Sequence, residues 1–239
     1  MQIYNPFKKF KTPTTVSEVF SETEVELANR NSGMPLESLE YDITPTGQHY
    51  LLTHFDIPHL NKDKHIISFS GDFSRPYSLS YDEIRSLPAE TLPVTLECAG
   101  NGRTGVDPRS FSMPWKYGAV GTSEWTGTKL RPLLKEACVK SDVVEISFTG
   151  ADRGYDSGHE HNFARSLTLA QIEELEVLLV YQMNDIPLLP QHGAPLRIIV
   201  PGWYGMASVK WLTGIEALSK PFEGYQQIQT YRFRQSRAE

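Results

Sequence analysis

The chain has 239 residues, with 23 Lys and Arg against 29 Asp and Glu, and so a formal net charge of −6. Hydrophobic residues at 39% and charged residues at 22% are globular proportions, too apolar for a disordered chain. The acidic balance, without any basic block, argues against broad contact with phosphate backbones and therefore against nucleic acid as a partner. No apolar run approaches the roughly 20 residues that cross a bilayer. The longest, Val177-Leu178-Leu179-Val180-Tyr181, is strand-sized.

In chain order, residues 1–45 are polar and irregular apart from a short helical pattern at 16–27, and 1–40 are expected to form a peripheral N-terminal segment. The start of the chain carries lysines but neither an apolar h-region nor a twin arginine, so no export signal is visible and a cytoplasmic location is expected. From His49 onward, short strand-like runs alternate with short helical ones. Strands are predicted at 49–55, 65–69, 94–98, 143–149, 177–183, 197–200 and 209–218, runs rich in Val, Ile, Leu and aromatics that end at Gly, Pro or Asp. Helices are predicted at 80–87, 130–137 and 168–175. Ser80 and Glu83 form the capping box of the first, and Pro88 stops it. Pro132 lies in the first turn of the second, where a missing N–H costs little. The 17 glycines and 16 prolines, with no repeat and no dividing linker, suit one loop-rich α+β domain over 1–239 whose loops carry the chemistry. The two cysteines, Cys98 and Cys138, are too few for a disulfide framework and suit a reducing compartment.

The most informative segment is Thr95-Leu96-Glu97-Cys98-Ala99-Gly100-Asn101-Gly102-Arg103. An apolar run delivers Cys98 to the end of a strand, small residues leave its sulfur approachable, and Arg103 favours the thiolate. A thiolate is both a soft metal ligand and a nucleophile. The competing reading is a buried core cysteine followed by an Asn101-Gly102 hairpin turn. Cys138, after a helix of alternating polar and apolar residues, reads as core.

Glu97-Cys98-Ala99-Gly100-Asn101-Gly102-Arg103 resembles the molybdenum-cysteine signature of the sulfite oxidase family, which includes the assimilatory nitrate reductases of eukaryotes. Further motifs match in order: Gly121-Thr122-Ser123-Glu124-Trp125-Thr126-Gly127, Gly150-Ala151-Asp152, Tyr181-Gln182-Met183-Asn184, and the run from His192-Gly193-Ala194-Pro195-Leu196-Arg197 through Val200-Pro201-Gly202 to Ser208-Val209-Lys210-Trp211-Leu212. The resemblance covers about residues 40 to 233.

The resemblance implies a sulfite-oxidase-type molybdopterin-binding fold, mixed sheets with short peripheral helices. It implies that Cys98 is the one protein ligand to molybdenum, with further sulfurs from the dithiolene of a molybdopterin. It places pterin and phosphate contacts on His54, Asp152, His192, Arg197, Ser208, Val209 and Lys210. Arg197 and Lys210 suit the phosphate, Asp152 suits pterin N–H donors, and Val209 would contact the cofactor through its backbone. It places Tyr231 beside the metal and Arg103 near the substrate anion. The implied activity is oxygen-atom transfer on a small, anionic substrate. Because no haem or flavin domain is encoded, electrons would leave to an external acceptor such as a cytochrome or other redox protein.

From the residues alone, each position has a plainer alternative. His54 and His192 read equally as ordinary hydrogen-bonded histidines, Arg197 as half of an ion pair, Asp152 as a turn residue. Lys210 is different, because a lysine in an apolar run needs a partner. Two departures bear on the substrate. Leu52 stands where the family has a second substrate arginine, and the immunoglobulin-like dimerisation domain that supplies a third is not in this chain. Two other functions compete: a zinc hydrolase using His159 and His161 with Glu160 as base, and a non-catalytic pterin-binding protein, which Leu52 alone favours.

Overall fold

The computed structural model describes residues 26–107 and 112–232. The helical pattern at 16–27 lies outside them except for Glu26 and Leu27, which are helical.

Two sheets form the frame. The first runs β2 (Tyr77–Ser80), β1 (Ile66–Gly71), β10 (Leu212–Leu218), β5 (Glu145–Asp156), β6 (His159–Thr168), with β1 and β10 parallel and the other neighbours antiparallel. The second runs β3 (Glu90–Glu97), β4 (Val120–Lys129), β7 (Leu178–Met183), β8 (Ile186–Pro187), and β9 (Arg197–Ile199) also pairs with β7. Helices α1 (Tyr81–Ser86), α2 (Leu130–Ala137), α3 (Leu169–Glu174) and α4 (Tyr225–Ile228) are short. The Ser80–Glu83 capping box forms as predicted, and Thr168 with Gln171 makes a second one at α3. No helix among the described residues is long and apolar enough to cross a membrane.

The apolar run 177–181 has a physical reason. Strand β7 is buried on both faces, with Leu179 and Tyr181 in one core cluster and Leu178, Val180 and Met183 in the other. It is the shared wall between the two cores. Strand β3 shows ordinary alternation instead: Val94 and Leu96 point inward, while Thr91 and Thr95 pair across the outer face with Thr126 (2.8 Å) and Thr122 (2.7 Å).

Several elements differ from expectation. Strands β2, β4 and β6 were not predicted. The inward face of β4 carries Gly121, Ser123, Trp125 and Gly127, which is not an apolar alternation, because a neighbour presses close at the glycines. Strand β6 buries Arg165 and Ser166, one on each face. The segment 49–55 is extended but unpaired apart from one bridge between Leu51 and Ser32. Its polar groups go elsewhere, the Tyr50 carbonyl to His49 Nδ1 and the Leu52 carbonyl to Lys210. Within the stretch expected to be peripheral, Asn31, Met34 and Ser38 are buried. Cys138 is half-buried rather than core, capping α2 in the left-handed region at φ 54°.

Gly127 shows how tightly the frame is closed. It sits at the irregularity in the β4–β7 ladder, and a Cβ there would lie 2.7 Å from Val180 Cα and still nearer the Leu179 carbonyl oxygen. Gly127→Ala is therefore expected to cost about 1–3 kcal/mol. Thermal unfolding would read this as a fall of roughly 2–4 °C per kcal/mol in a chain of this size. An unchanged midpoint would contradict the close approach of the two strands.

Candidate functional site

One cleft gathers residues from well-separated segments of the chain. They are the extended run 49–54, the end of β3 and the turn after it, the bulge of β5, Phe163 of β6, β9 with the turns that flank it, and the chain after α4.

Cys98 continues the inward register of Val94 and Leu96 one step past β3. Its N–H donates to the Ala119 carbonyl (2.8 Å), and the Gly100 N–H points at Sγ (3.4 Å). Gly100 has no side chain because the Arg103 guanidinium lies against it, where a Cβ would collide. Burial pushes the Cys98 thiol above its ordinary pKa, and the Gly100 N–H and Arg103 only partly oppose this. Arg103 does favour the thiolate, as expected, but desolvation outweighs the guanidinium in the free protein. The hairpin reading fails as well. Gly102 (φ 78°) leads into the short turn Arg103–Gly105, and β4 begins only at Val120.

The base of the cleft is positively charged. Arg197, in β9, donates from Nη1 to the His192 carbonyl and from Nη2 to the Ser208 carbonyl, both at 2.9 Å, and lies 4.8 Å from the Trp125 ring centre. Lys210 Nζ donates to the carbonyls of Leu52 (2.8 Å) and Gln191 (3.2 Å) and sits 4.3 Å from the Trp211 ring centre. Lys210 is not inside a strand, as expected, but just before one. Trp211 takes φ 51° there, and β10 starts at Leu212. Burial lowers the pKa of Arg197 to about 10 and lowers Lys210 as well, with Arg197 adding to the second shift.

Two histidines complete the base. His49 Nδ1 donates to the Tyr50 carbonyl (3.0 Å), and His192 Nε2 meets the Thr46 carbonyl (3.2 Å). Burial pulls His49 to about 4 and His192 to about 3, and the neighbouring cations push the same way. Both are therefore neutral at pH 7. Asp152 comes from the bulge where the β5–β6 register shifts between Thr149 and Arg153, which turns its carboxylate into the cleft. Gly150 permits this, since a Cβ there would run into the Asp152 carboxylate. Burial raises the pKa of that carboxyl group.

Three buried polar atoms on these residues have no hydrogen-bond partner: His49 Nε2, Asp152 Oδ1 and Arg197 Nε. Buried polar groups are normally satisfied, so acceptors and a donor gathered around one concavity fit a polar ligand that is anionic at one end. A pterin with a terminal phosphate has that chemistry.

At the mouth, the Tyr231 hydroxyl and His54 Nε2 share a hydrogen bond of 2.8 Å. His54 is flanked by Phe163 and remains reachable from solvent through the cleft, and its pKa is lowered to about 4, mainly by desolvation. Burial and the nearby Cys98 raise the Tyr231 phenol well above its ordinary range. The cleft opens outward past Leu52, Cys98 and Tyr231 to a vestibule that brings in Arg103, Asp156 and Arg232.

The predicted residues Cys98, His54, Asp152, His192, Arg197, Ser208, Lys210 and Tyr231 all line the cleft, and Arg103 lines its vestibule. Val209 does not. It is buried in the core, its N–H donates to the Ala207 carbonyl (3.1 Å) and its carbonyl accepts from the Ile198 N–H (2.9 Å), so neither backbone group is free for a cofactor. The fork of Arg197 is also taken by carbonyls, leaving Nε as its unpartnered donor. His159 and His161 lie on β6 beside Tyr225, and among the described residues no three His, Cys, Asp or Glu side chains converge to hold a metal ion. The described residues thus bring no third ligand to His159 and His161.

Sequence reasoning missed His49, Asn184, Arg165 and Arg232. Asn184 donates to the Thr44 carbonyl and the Thr46 hydroxyl and accepts from the Glu124 N–H, which anchors the segment leading to His49. The Tyr181-Gln182-Met183-Asn184 motif was the available signal for it. Nothing in the pattern around His49 distinguishes it from His59 or His65.

A family model described as "Oxidoreductase molybdopterin binding domain" matches residues 54–226. The chain is 34% identical over 190 residues to a nitrate reductase [NADH] of Ulva prolifera, covering 77% of this chain and 22% of that protein. It is 32% identical over 210 residues to the mitochondrial sulfite oxidase of Rattus norvegicus, covering 84% and 38%. It thus spans less than half the length of either relative. The sulfane dehydrogenase SoxCD from Paracoccus pantotrophus superposes with a TM-score of 0.72 over 96% of this chain and 61% of that one, at 22% identity, which shows a shared fold. The matched residues include one core cluster whole, the other but for Tyr50, and the cleft apart from residues 49–53 and Tyr231, and the chain belongs to the oxidoreductase molybdopterin-binding domain family.

Proposed function

We propose that this oxidoreductase holds molybdenum through Cys98 and moves an oxygen atom to or from a small anionic substrate, with electrons leaving singly to an external acceptor, a cytochrome or other redox protein. The observation that most supports this is the convergence of the Cys98 sulfur with two cations that make no ion pair, the buried Arg197 and the half-buried Lys210, and with the unpartnered atoms of His49, Asp152 and Arg197.

Lys210 and Arg197 Nε would hold the phosphate of the molybdopterin, with the Ser208 hydroxyl and His192 beside them. Asp152 would accept from pterin N–H groups, and His49 Nε2 offers a further acceptor. When bound, the cofactor supplies two-electron redox chemistry at the metal. Cys98 would hold the metal as its thiolate, the charge of the metal offsetting the burial that favours the thiol in the free protein. Tyr231 keeps its proton across the neutral range because burial raises its pKa, so its hydroxyl is a steady donor to a substrate oxygen. His54 fixes the direction of that hydroxyl. Arg103 draws the anion in and orients it.

Protein from a molybdenum-replete host is expected to contain near-stoichiometric molybdenum, and Cys98→Ser is expected to abolish turnover with artificial acceptors. Zinc in place of molybdenum would contradict the proposal. Lys210→Met should weaken cofactor retention about tenfold or more, the worth of a hydrogen bond to a charged group; full retention would take the phosphate away from Lys210.

The cofactor-free protein should also be acid-sensitive. The buried His49 and His192 have folded pKa values of about 4 and 3 against an ordinary 6.5. Below 6.5 the unfolded chain binds protons that the folded one refuses, so stability falls as pH drops from about 6.5 toward about 4. The slope is at most about 1.4 kcal/mol per pH unit for each histidine. Thermal midpoints measured across that window should decline, and His49→Asn should flatten the decline; a flat profile in the parent protein would contradict the buried neutral histidines.

A further inference from the structure

Two guanidiniums open onto the vestibule, and both have charge to spare. Arg103 and Arg232 line it together with Cys98 and Tyr231. Arg103 Nη1 donates to the Met113 carbonyl (3.3 Å) and Arg232 Nη1 to the Ile228 carbonyl (3.2 Å). Among the described residues neither is in an ion pair, and Nε and Nη2 of each make no hydrogen bond. Asp156 faces the same space but lies beyond ion-pair distance of both. An anion entering the concavity that both line can take up the free donors of each fork.

The backbone puts Arg232 there. Helix α4 ends at Ile228, and Tyr231 adopts φ 44°, a left-handed conformation that tyrosine rarely takes. Both Tyr231 and Arg232 line the vestibule as a result. Leu52 borders the same opening and brings no charge, so the second cation of this site comes from the far end of the chain.

We infer that Arg232 is a specificity-determining residue: with Arg103 it clamps the oxyanion group of the substrate, in the place that Leu52 leaves uncharged. This rests on the proposed oxidoreductase reading for the reacting end of the substrate, but anion binding can be measured without turnover. Sulfate is the probe, titrated calorimetrically into the molybdenum-loaded protein at low and moderate ionic strength. The parent protein is expected to bind it, with affinity falling as salt rises. Arg232→Gln is expected to weaken sulfate binding about tenfold or more, with molybdenum content and thermal midpoint unchanged, and Arg232→Lys should recover part of the loss. Arg103→Gln should weaken binding to a similar extent. If sulfite is turned over, Arg232→Gln should raise KM more than it lowers kcat, which a merely structural cap on α4 would not do. Sulfate affinity unchanged in Arg232→Gln, or no sulfate binding by the parent protein, would overturn the inference even with molybdenum in place. A lack of molybdenum in the parent protein would instead overturn the proposed function.

Discussion

The cleft depends on the buried guanidinium of Arg197. Its two Nη donors hold the carbonyls of His192 and Ser208, and so tie together the turns on either side of β9. Those turns set the floor. Gly193, at φ 103°, has no Cβ, which lets Lys210 Cβ pack within 3.0 Å of where one would be, and Lys210 then reaches the carbonyls of Gln191 and Leu52. Without the guanidinium, two buried carbonyls lose their donors and the floor loses its closure. The same group fixes the sign of the site, since its hydrogen-bond partners are neutral carbonyls, an aromatic ring lies beside it, and the nearest other charge is that of Lys210. Burying a charge without a counter-charge is costly. An anionic ligand is the simplest way for the folded protein to offset that cost.

The remaining architecture serves this floor. Strand β7, buried on both faces, separates the two cores and carries β9, and hence Arg197, on its edge. The bulge in β5 swings Asp152 in from the other sheet, and the irregular start of β10 aims Lys210. Regular strands alone would not place these groups together, because a strand points its side chains at fixed faces and the cleft lies between two sheets. The breaks in regularity are therefore where the chemistry sits. Tyr231 and Trp211, both in the left-handed region, are two more of them.

Much of this was legible in the sequence, for reasons that differ by element. The run at 177–181 declared a strand buried on both faces. The Ser80–Glu83 box declared a helix start, and Cys98 with its small neighbours declared a site. What was illegible had a shared cause: contact with something distant in the chain. Strand β4 hides its inward face behind glycines because His49 and the Leu179 backbone press there. The segment 49–55 looked like a strand, yet its carbonyls serve Lys210 and His49 rather than a ladder. The net shift of the Cys98 thiol is illegible because the neighbouring Arg103 is visible in the sequence and the desolvation is not. Val209 was assigned with its motif, whereas its own hydrogen bonds commit it to the core. Arg232 was passed over because nothing at its position announces that the chain folds back onto Cys98.

A crystal structure of the protein purified with its molybdenum would test the central claim most directly. The account predicts Cys98 Sγ bonded to the metal, with the phosphate of the cofactor against Lys210 and Arg197 Nε and an acceptor contact from Asp152 Oδ1. A phosphate seated away from both cations, or a Cys98 sulfur left unligated with the metal bound elsewhere, would contradict it.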